Sequence, residues 1–350
     1  MAKVFVVDPG YSLKEAFNQW MNGNFPGSVL YGVDKLKEFE IDPVFMNSNS
    51  VVGEKSRGKG GFFTSKRLNA EANTISELFS KKNDIDAVYI PLVNLANIVC
   101  LLRLFKIINK PVIGLIHSVN FRSKRKTLLY HLYFKSLDKI VFIAPNIKRY
   151  CEQQFPQYKH KMYISELMPE KTSGLDETKS KKYDVCLIGK TNRDYEVAAK
   201  ACEELNVRGI IVGGNEAEIY GNPYVDVITT QIPYKECKKI YAESKINLIT
   251  LKEADGIWGL TSILDSFSNN IPMIVTRTKE LSVDIKNNGY GEEVEVGSVS
   301  DLKQAIVKLL SDNEYYKSCQ NKLKKFAENS NTELFAERIS EIIKEAINND

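Results

Sequence analysis

The feature that most constrains this chain is an alternation that runs, stops and starts again. Short apolar runs at residues 4–7, 44–46, 87–90, 112–116 and 140–143 each precede a helix-length amphipathic segment. That rhythm belongs to βα units, which build a parallel sheet with helices on its faces. The alternation restarts at residues 185–188, 210–212, 225–228, 246–251 and 273–275, and three helical segments follow between Asp301 and Asn348. Between the two series, residues 169–182 are polar, contain breakers and lack apolar periodicity, as a linker does. A length of 350 residues suits two cores rather than one. We therefore expect an α/β chain of two Rossmann-like, doubly wound domains facing across a cleft. Residues 1–172 form the first and 173–330 the second, and a C-terminal helix over 331–350 packs back toward the first. In open parallel sheets, ligands bind at the carboxyl ends of the strands, so function is expected in that cleft.

Composition excludes other classes. Apolar residues make up 43% and charged residues 26%, the balance of a globular chain. The apolar stretch 87–108 contains Pro91, Asn94, Asn97, Arg103 and Lys106, and reads as a buried strand followed by a crossover helix, not a membrane span. Residues 4–7 are too short for a signal-peptide core and read as a first strand. Six cysteines with no CxxC pair imply free, buried thiols and a reducing cytoplasm, with neither a disulfide frame nor a zinc site.

Charge is unevenly placed. Residues 1–172 carry a net +10 and residues 173–350 a net −6. Arg122, Lys124, Arg125 and Lys126 run directly into Leu128, Leu129, Tyr130, Leu132, Tyr133 and Phe134. Such a run is either a solvated face or a docking surface for an anionic membrane or a lipid diphosphate. On a helix, Leu128, Leu132 and Lys135 share one face, with Leu129 and Tyr133 on the next, so part packs on the sheet and part is left for lipid. Nucleic acid is not expected as a partner, because the second half is acidic and no nucleic-acid motif occurs.

Two segments of the second half carry chemistry. After the strand at 246–251 comes a loop with Asp255 and Gly256, then a helix whose first turn holds Gly259, Thr261 and Ser262. Free N–H groups at a helix start, a glycine permitting close approach and two hydroxyls suit a diphosphate. A carboxylate one turn on, Asp265, can accept both hydroxyls of a ribose; ordinary helix capping is the alternative reading. The second segment is the first strand and turn of the restart, where Gly189 permits a tight turn and Lys190 and Arg193 stand at the strand end. These cations can neutralise a diphosphate, or else be surface charges.

At these residues the chain resembles the retaining GT-B glycosyltransferases of glycosyltransferase family 4, through the turn Gly189-Lys-Thr-Asn-Arg-Asp-Tyr195 and the turn Gly259-Leu-Thr-Ser262. The resemblance implies a donor site for a nucleoside diphosphate sugar, UDP favoured over GDP. In it, Lys190 and Arg193 bind the diphosphate, and Gly259, Leu260, Thr261 and Ser262 bind phosphate and sugar. Asp265 stands at the ribose-binding glutamate, and the backbone of Ile232 reads the base. It also implies that His117 faces the donor sugar and that Gly27, in the loop 24–28, lies near the phosphates. The family's two glutamates eight positions apart are here Ile257 and Asp265, Asp255 and Glu253 being the nearest acids, and Ser118 follows His117 where the family often has an acid.

The same resemblance implies a hexosyltransferase-type enzyme that uses no metal or cofactor and moves a sugar to a glycan or lipid-linked acceptor in cell-surface polysaccharide assembly. It would be cytoplasmic, peripheral on the inner face of the plasma membrane, with the charge split as support. The alternative is a non-catalytic, GT-B-shaped partner that binds a sugar nucleotide or glycan. A nicotinamide-dependent dehydrogenase is disfavoured because no GxGxxG follows the first strand.

Overall fold

The computed structural model describes residues 1–7, 12–46, 65–93, 97–119, 124–171, 180–213, 219, 221–253, 258–279, 281 and 283–349, without the side chains of 65–70 and 97. Its residue contacts divide it into two units. One comprises Met1–Asn22, Leu30–Leu167 and Glu333–Asp350, the other Gly23–Val29 and Met168–Thr332. The loop holding Gly27, expected in the first domain, therefore makes its contacts within the second unit. Asp255 and Arg122 lie outside the described residues.

The first unit is built on six parallel strands in the order β2-β1-β3-β4-β5-β6. They are β1 (Ala2–Val6), β2 (Ile41–Phe45), β3 (Ala87–Ile90), β4 (Val112–Ile116), β5 (Lys139–Phe142) and β6 (Met162–Ile164). Its α-helices are α1 (Leu13–Met21), α2 (Ser65–Lys81), α3 (Asn97–Leu104), α4 (Lys124–Ser136) and α5 (Pro145–Gln154), with α12 (Thr332–Asn348) returning from the chain's end. Strands β3, β4 and β5 are buried at every position, as expected of a parallel sheet covered on both faces. The apolar stretch at 87–108 divides into β3 and α3, and no described helix is long and apolar enough to cross a membrane. Helix α4 packs through Tyr130, Tyr133 and Phe134, while Leu128 stays 59% exposed and Leu129 and Leu132 are half-buried. The packed face takes Tyr133 from one of the two stripes and adds Tyr130 and Phe134, with Phe134 seated on Phe142 and Phe155.

The second unit repeats the plan with the order β12-β11-β10-β7-β8-β9, again all parallel. Its strands are β7 (Tyr183–Ile188), β8 (Gly209–Val212), β9 (Val225–Ile228), β10 (Ser244–Ile249), β11 (Met273–Thr276) and β12 (Gly291–Val294). Its helices are α6 (Tyr195–Leu205), α7 (Tyr234–Ala242), α8 (Leu260–Ser268), α9 (Ile285–Asn288), α10 (Val299–Ser311) and α11 (Asn313–Asn329). The chain winds outward from β7 to β9, then crosses back to β10 on the other side of β7. The order therefore reverses between β7 and β10, and a crevice opens at such a switch point beyond the strands' carboxyl ends.

Candidate donor site

The switch point brings together the turn of Gly189, Lys190 and Arg193 and the start of α8 at Gly259 and Ser262. The turn after β7 is stitched to the end of β10: Asp194 N donates to Thr250 O at 2.9 Å, Thr250 Oγ1 donates to Asp194 O at 2.7 Å, and Lys252 N reaches Asn192 O at 3.2 Å. Tyr195 Oη donates to the Gly189 carbonyl at 2.6 Å and fixes the turn from below. Gly189 has φ +151°, and a Cβ there would lie 2.7 Å from Arg193 Nε. Only glycine lets the guanidinium lie against this backbone.

Arg193 is not a surface charge, the alternative reading of this turn. It is 6% exposed, its Nη2 donates to Ser262 Oγ at 2.8 Å and its Nη1 to Thr191 O at 2.9 Å. Burial lowers its pKa, partly offset by Tyr241, Tyr195 and Asp265. Its Nε is buried and lacks a hydrogen-bond partner among the described residues. An unmatched buried guanidinium N–H costs free energy until an acceptor reaches it, and a charged acceptor meets it most strongly. Lys190 is exposed and donates to Gln231 Oε1 at 3.1 Å.

Helix α8 carries the second segment expected to bind an anion. Gly259, its N-cap, has φ +79° and no side-chain cap bond, and a Cβ there would stand 2.8 Å from Ile249 Cγ2. Ile263 N is bonded to Gly259 O at 3.0 Å, so the amides ahead of it open the helix without an intrahelical acceptor. Ile263, Leu264 and Phe267 bury the other face, each worth about 1.5–3 kcal/mol, which anchors the helix start against β10. Thr261 is exposed and Leu260 half-buried. Ser262 departs from expectation: its hydroxyl is buried, donating to Ile188 O at 3.0 Å while accepting from Arg193. It positions the guanidinium instead of offering a ligand its hydroxyl.

Asp265 is also engaged. Its Oδ1 accepts from Tyr234 Oη at 2.7 Å and its Oδ2 from Tyr241 Oη at 3.3 Å. Burial pushes its pKa up to about 6, with the charge of Glu170 adding to the rise and the tyrosines and Lys238 opposing it. Sequence reasoning missed these tyrosines. Their signal was the spacing of seven on α7, which puts both hydroxyls on one face. Ile232 is half-buried against the core that holds Cys186, Val212, Ile240 and Tyr241. The Gly27 loop meets this unit through Tyr234 N, which donates to Asn24 O at 3.3 Å, and through Gly27 N, which donates to Glu170 Oε1.

His117, in the first unit, follows β4. Its Nε2 lies 2.7 Å from the Pro91 carbonyl, which only accepts, so Nε2 carries the proton and Nδ1 the lone pair. Burial pushes its pKa down to about 4, leaving a neutral imidazole at pH 7, set edge-on to Tyr31 at 4.8 Å. Lys124, Arg125 and Lys126 are exposed on the first turn of α4. Among the described residues no three His, Cys, Asp or Glu side chains gather to hold a metal ion.

No family model matches the sequence, and no curated protein matches it. Solved structures do. A glycosyltransferase from Rickettsia africae superposes with a TM-score of 0.66 at 17% identity, covering 100% of this chain and 99% of that one. Anabaena HepE, in complex with UDP and glucose, gives 0.68 at 11% identity over 99% and 100%. The lipopolysaccharide outer core galactosyltransferase WaaB gives 0.59 at 14% identity over 99% of each chain. At such identities the likeness speaks for the fold, and it spans the whole chain: two parallel six-stranded sheets with interleaved helices, the α/β fold of the GT-B glycosyltransferases.

Proposed function

We propose that this chain is a glycosyltransferase of the family 4 type, moving a sugar from a nucleoside diphosphate sugar, UDP before GDP, to an acceptor hydroxyl with retention at the anomeric carbon. The observation that carries the reading is the buried Arg193 guanidinium at the β7/β10 switch point, pinned by Ser262 with its Nε unmatched among the described residues, beside the uncapped start of α8. UDP bound to HepE, a protein of the same fold, favours the uridine nucleotide. In the reaction, the bond between the anomeric carbon and the diphosphate oxygen breaks, and the acceptor oxygen bonds to the same face of that carbon. The acceptor proton passes to the departing phosphate. Arg193, Lys190 and the first amides of α8 stabilise the charge left on that phosphate, a role that requires no metal. Leu260 and Thr261 border the sugar, Ile232 the base and Asp265 the ribose. Neutral His117 accepts a hydrogen bond from a sugar hydroxyl through Nδ1.

The first unit supplies the acceptor side. Residues 87–137 hold eight Lys and Arg and no Asp or Glu. That stretch includes α3 and α4, which pack on each other and leave Leu101, Phe105, Ile107 and Leu128 exposed. We take this face to dock on an anionic membrane at the cytoplasmic side, with a lipid-linked glycan as acceptor. A binding-only reading draws on Asp265, both of whose oxygens already hold tyrosine hydroxyls.

The test is calorimetry with UDP, followed by turnover across UDP and GDP sugars. UDP binding that weakens by about two orders of magnitude in Lys190→Ala with Arg193→Ala, some 3 kcal/mol, supports the site. Unchanged affinity removes it. Binding without hydrolysis or transfer of any sugar favours the binding-only reading.

A further inference from the structure

Both oxygens of one carboxylate, Glu170, are held by groups of the kind that hold phosphates. Oε1 accepts the backbone N–H of the buried Gly27, and Oε2 pairs with Lys238 Nζ at 3.0 Å. Glu170 has only 18% of its side chain exposed, and its backbone is fixed next door, where the Pro169 carbonyl accepts from Thr332 N at 2.9 Å. The cluster is continuous with the site above: Lys238 Nζ lies 5.0 Å from the centre of the Tyr234 ring, Tyr234 donates to Asp265, and Asp265 feels the charge of Glu170.

Charge balance gives this contact a consequence. Glu170 and Asp265 offset Lys238 and Arg193 with no ligand present. A diphosphate brings about two further negative charges into a half-buried region where like charges are costly. The gap at Arg193 Nε meets only part of that load. Release of the Glu170 carboxylate frees an ammonium and an amide N–H for the incoming oxygens and removes a repelling charge.

We propose that Glu170 is an internal counter-anion of the donor site, occupying a phosphate station made by the Gly27 amide and Lys238, and that the donor's diphosphate replaces it there. Glu170 thereby sets donor affinity without touching the reacting atoms. The inference rests on the donor-site reading and is tested so that the two fail separately.

The experiment is UDP calorimetry on the full chain for the wild type, Glu170→Gln, Glu170→Ala and Lys238→Met, each first checked for a native thermal transition. Both Glu170 variants bind UDP about tenfold more tightly, because no anion has to leave, and Lys238→Met binds more weakly. The two substitutions differ in shape, so either one that folds reports the effect. Wild-type or weaker affinity in a folded Glu170 variant that still binds UDP overturns the counter-anion and leaves the donor site standing. No UDP binding by wild type or by either Glu170 variant overturns the donor site, and this inference with it.

Discussion

Asp265 shows how far one residue's chemistry departs from its sequence. An aspartate one turn into an anion-binding helix suggests a free carboxylate, yet here it sits between Tyr234 and Tyr241 with its pKa raised to about 6. Between about pH 4 and 6 the folded chain holds a proton that the unfolded chain has released. This residue's contribution therefore lowers stability as pH rises through that window and leaves it flat above. In the proposed site, ribose hydroxyls prefer the ionised form, so donor affinity is expected to have the opposite slope, rising with pH through about 6. The groups around it are the two tyrosine hydroxyls, Glu170, Lys238, the Arg193 guanidinium and the Cys237 thiol, and among them the Asp265 carboxylate is the group brought to about 6 by its surroundings. A UDP sugar, whose phosphates do not titrate there, is the right probe. Its affinity is expected to be several-fold higher at pH 7.5 than at pH 5 in the wild type. Asp265→Asn should bind weakly and without that slope, and an equal slope in both proteins would assign the titration to another group.

At the scale of elements, legibility followed apolar content. Ten of the strands announce themselves as apolar runs. β6 has only three residues, Met162–Ile164, and β12 reads Gly-Glu-Glu-Val, which no periodicity rule takes for a strand. Glu292 is 6% exposed there because Lys308 and Tyr315 meet its carboxylate, and Glu293 takes Arg277 and the Ile285 amide. Tertiary partners thus let an edge strand carry charge. The site was legible where backbone geometry dictates the residue, at Gly189 and Gly259. It was illegible where a side chain chooses between partners: Ser262 reads as a ligand hydroxyl but holds Arg193, and nothing local to Glu170 forecasts its contact with a glycine more than 140 positions away. The same logic makes Gly259→Ala informative. The added Cβ meets Ile249 and the backbone is left-handed, a combined penalty of about 1–3 kcal/mol. A lower urea midpoint together with weaker UDP binding is expected. A loss of stability with unchanged UDP affinity would detach the start of α8 from the donor site.

For the whole molecule, charge asymmetry is the property that sequence states most plainly and that the fold turns into a surface. Helices α3 and α4 each begin at the carboxyl end of a strand, β3 or β4, and run back along the sheet, so their exposed flanks lie side by side. The basic run Lys124–Lys126 stands at one end of that face, and Phe105, 69% exposed, and Ile107 stand near the other. Thirteen residues of α4 span about 20 Å, so both ends reach a bilayer only if the helix axes lie along its plane. The two ends then act differently. Each basic residue near an anionic leaflet contributes about 1 kcal/mol, which salt screens, whereas a buried aromatic ring resists salt. Sedimentation with vesicles containing acidic lipid, at low and high salt, separates them. The wild type is expected to pellet at low salt and to be largely released at high salt. Changing Arg122, Lys124, Arg125 and Lys126 to serine should abolish the low-salt binding. Phe105→Ser should spare it but remove the fraction that survives salt. Equal binding by all three proteins, or none by any, would rule out this face as the anchor and make a soluble glycan the acceptor to test first.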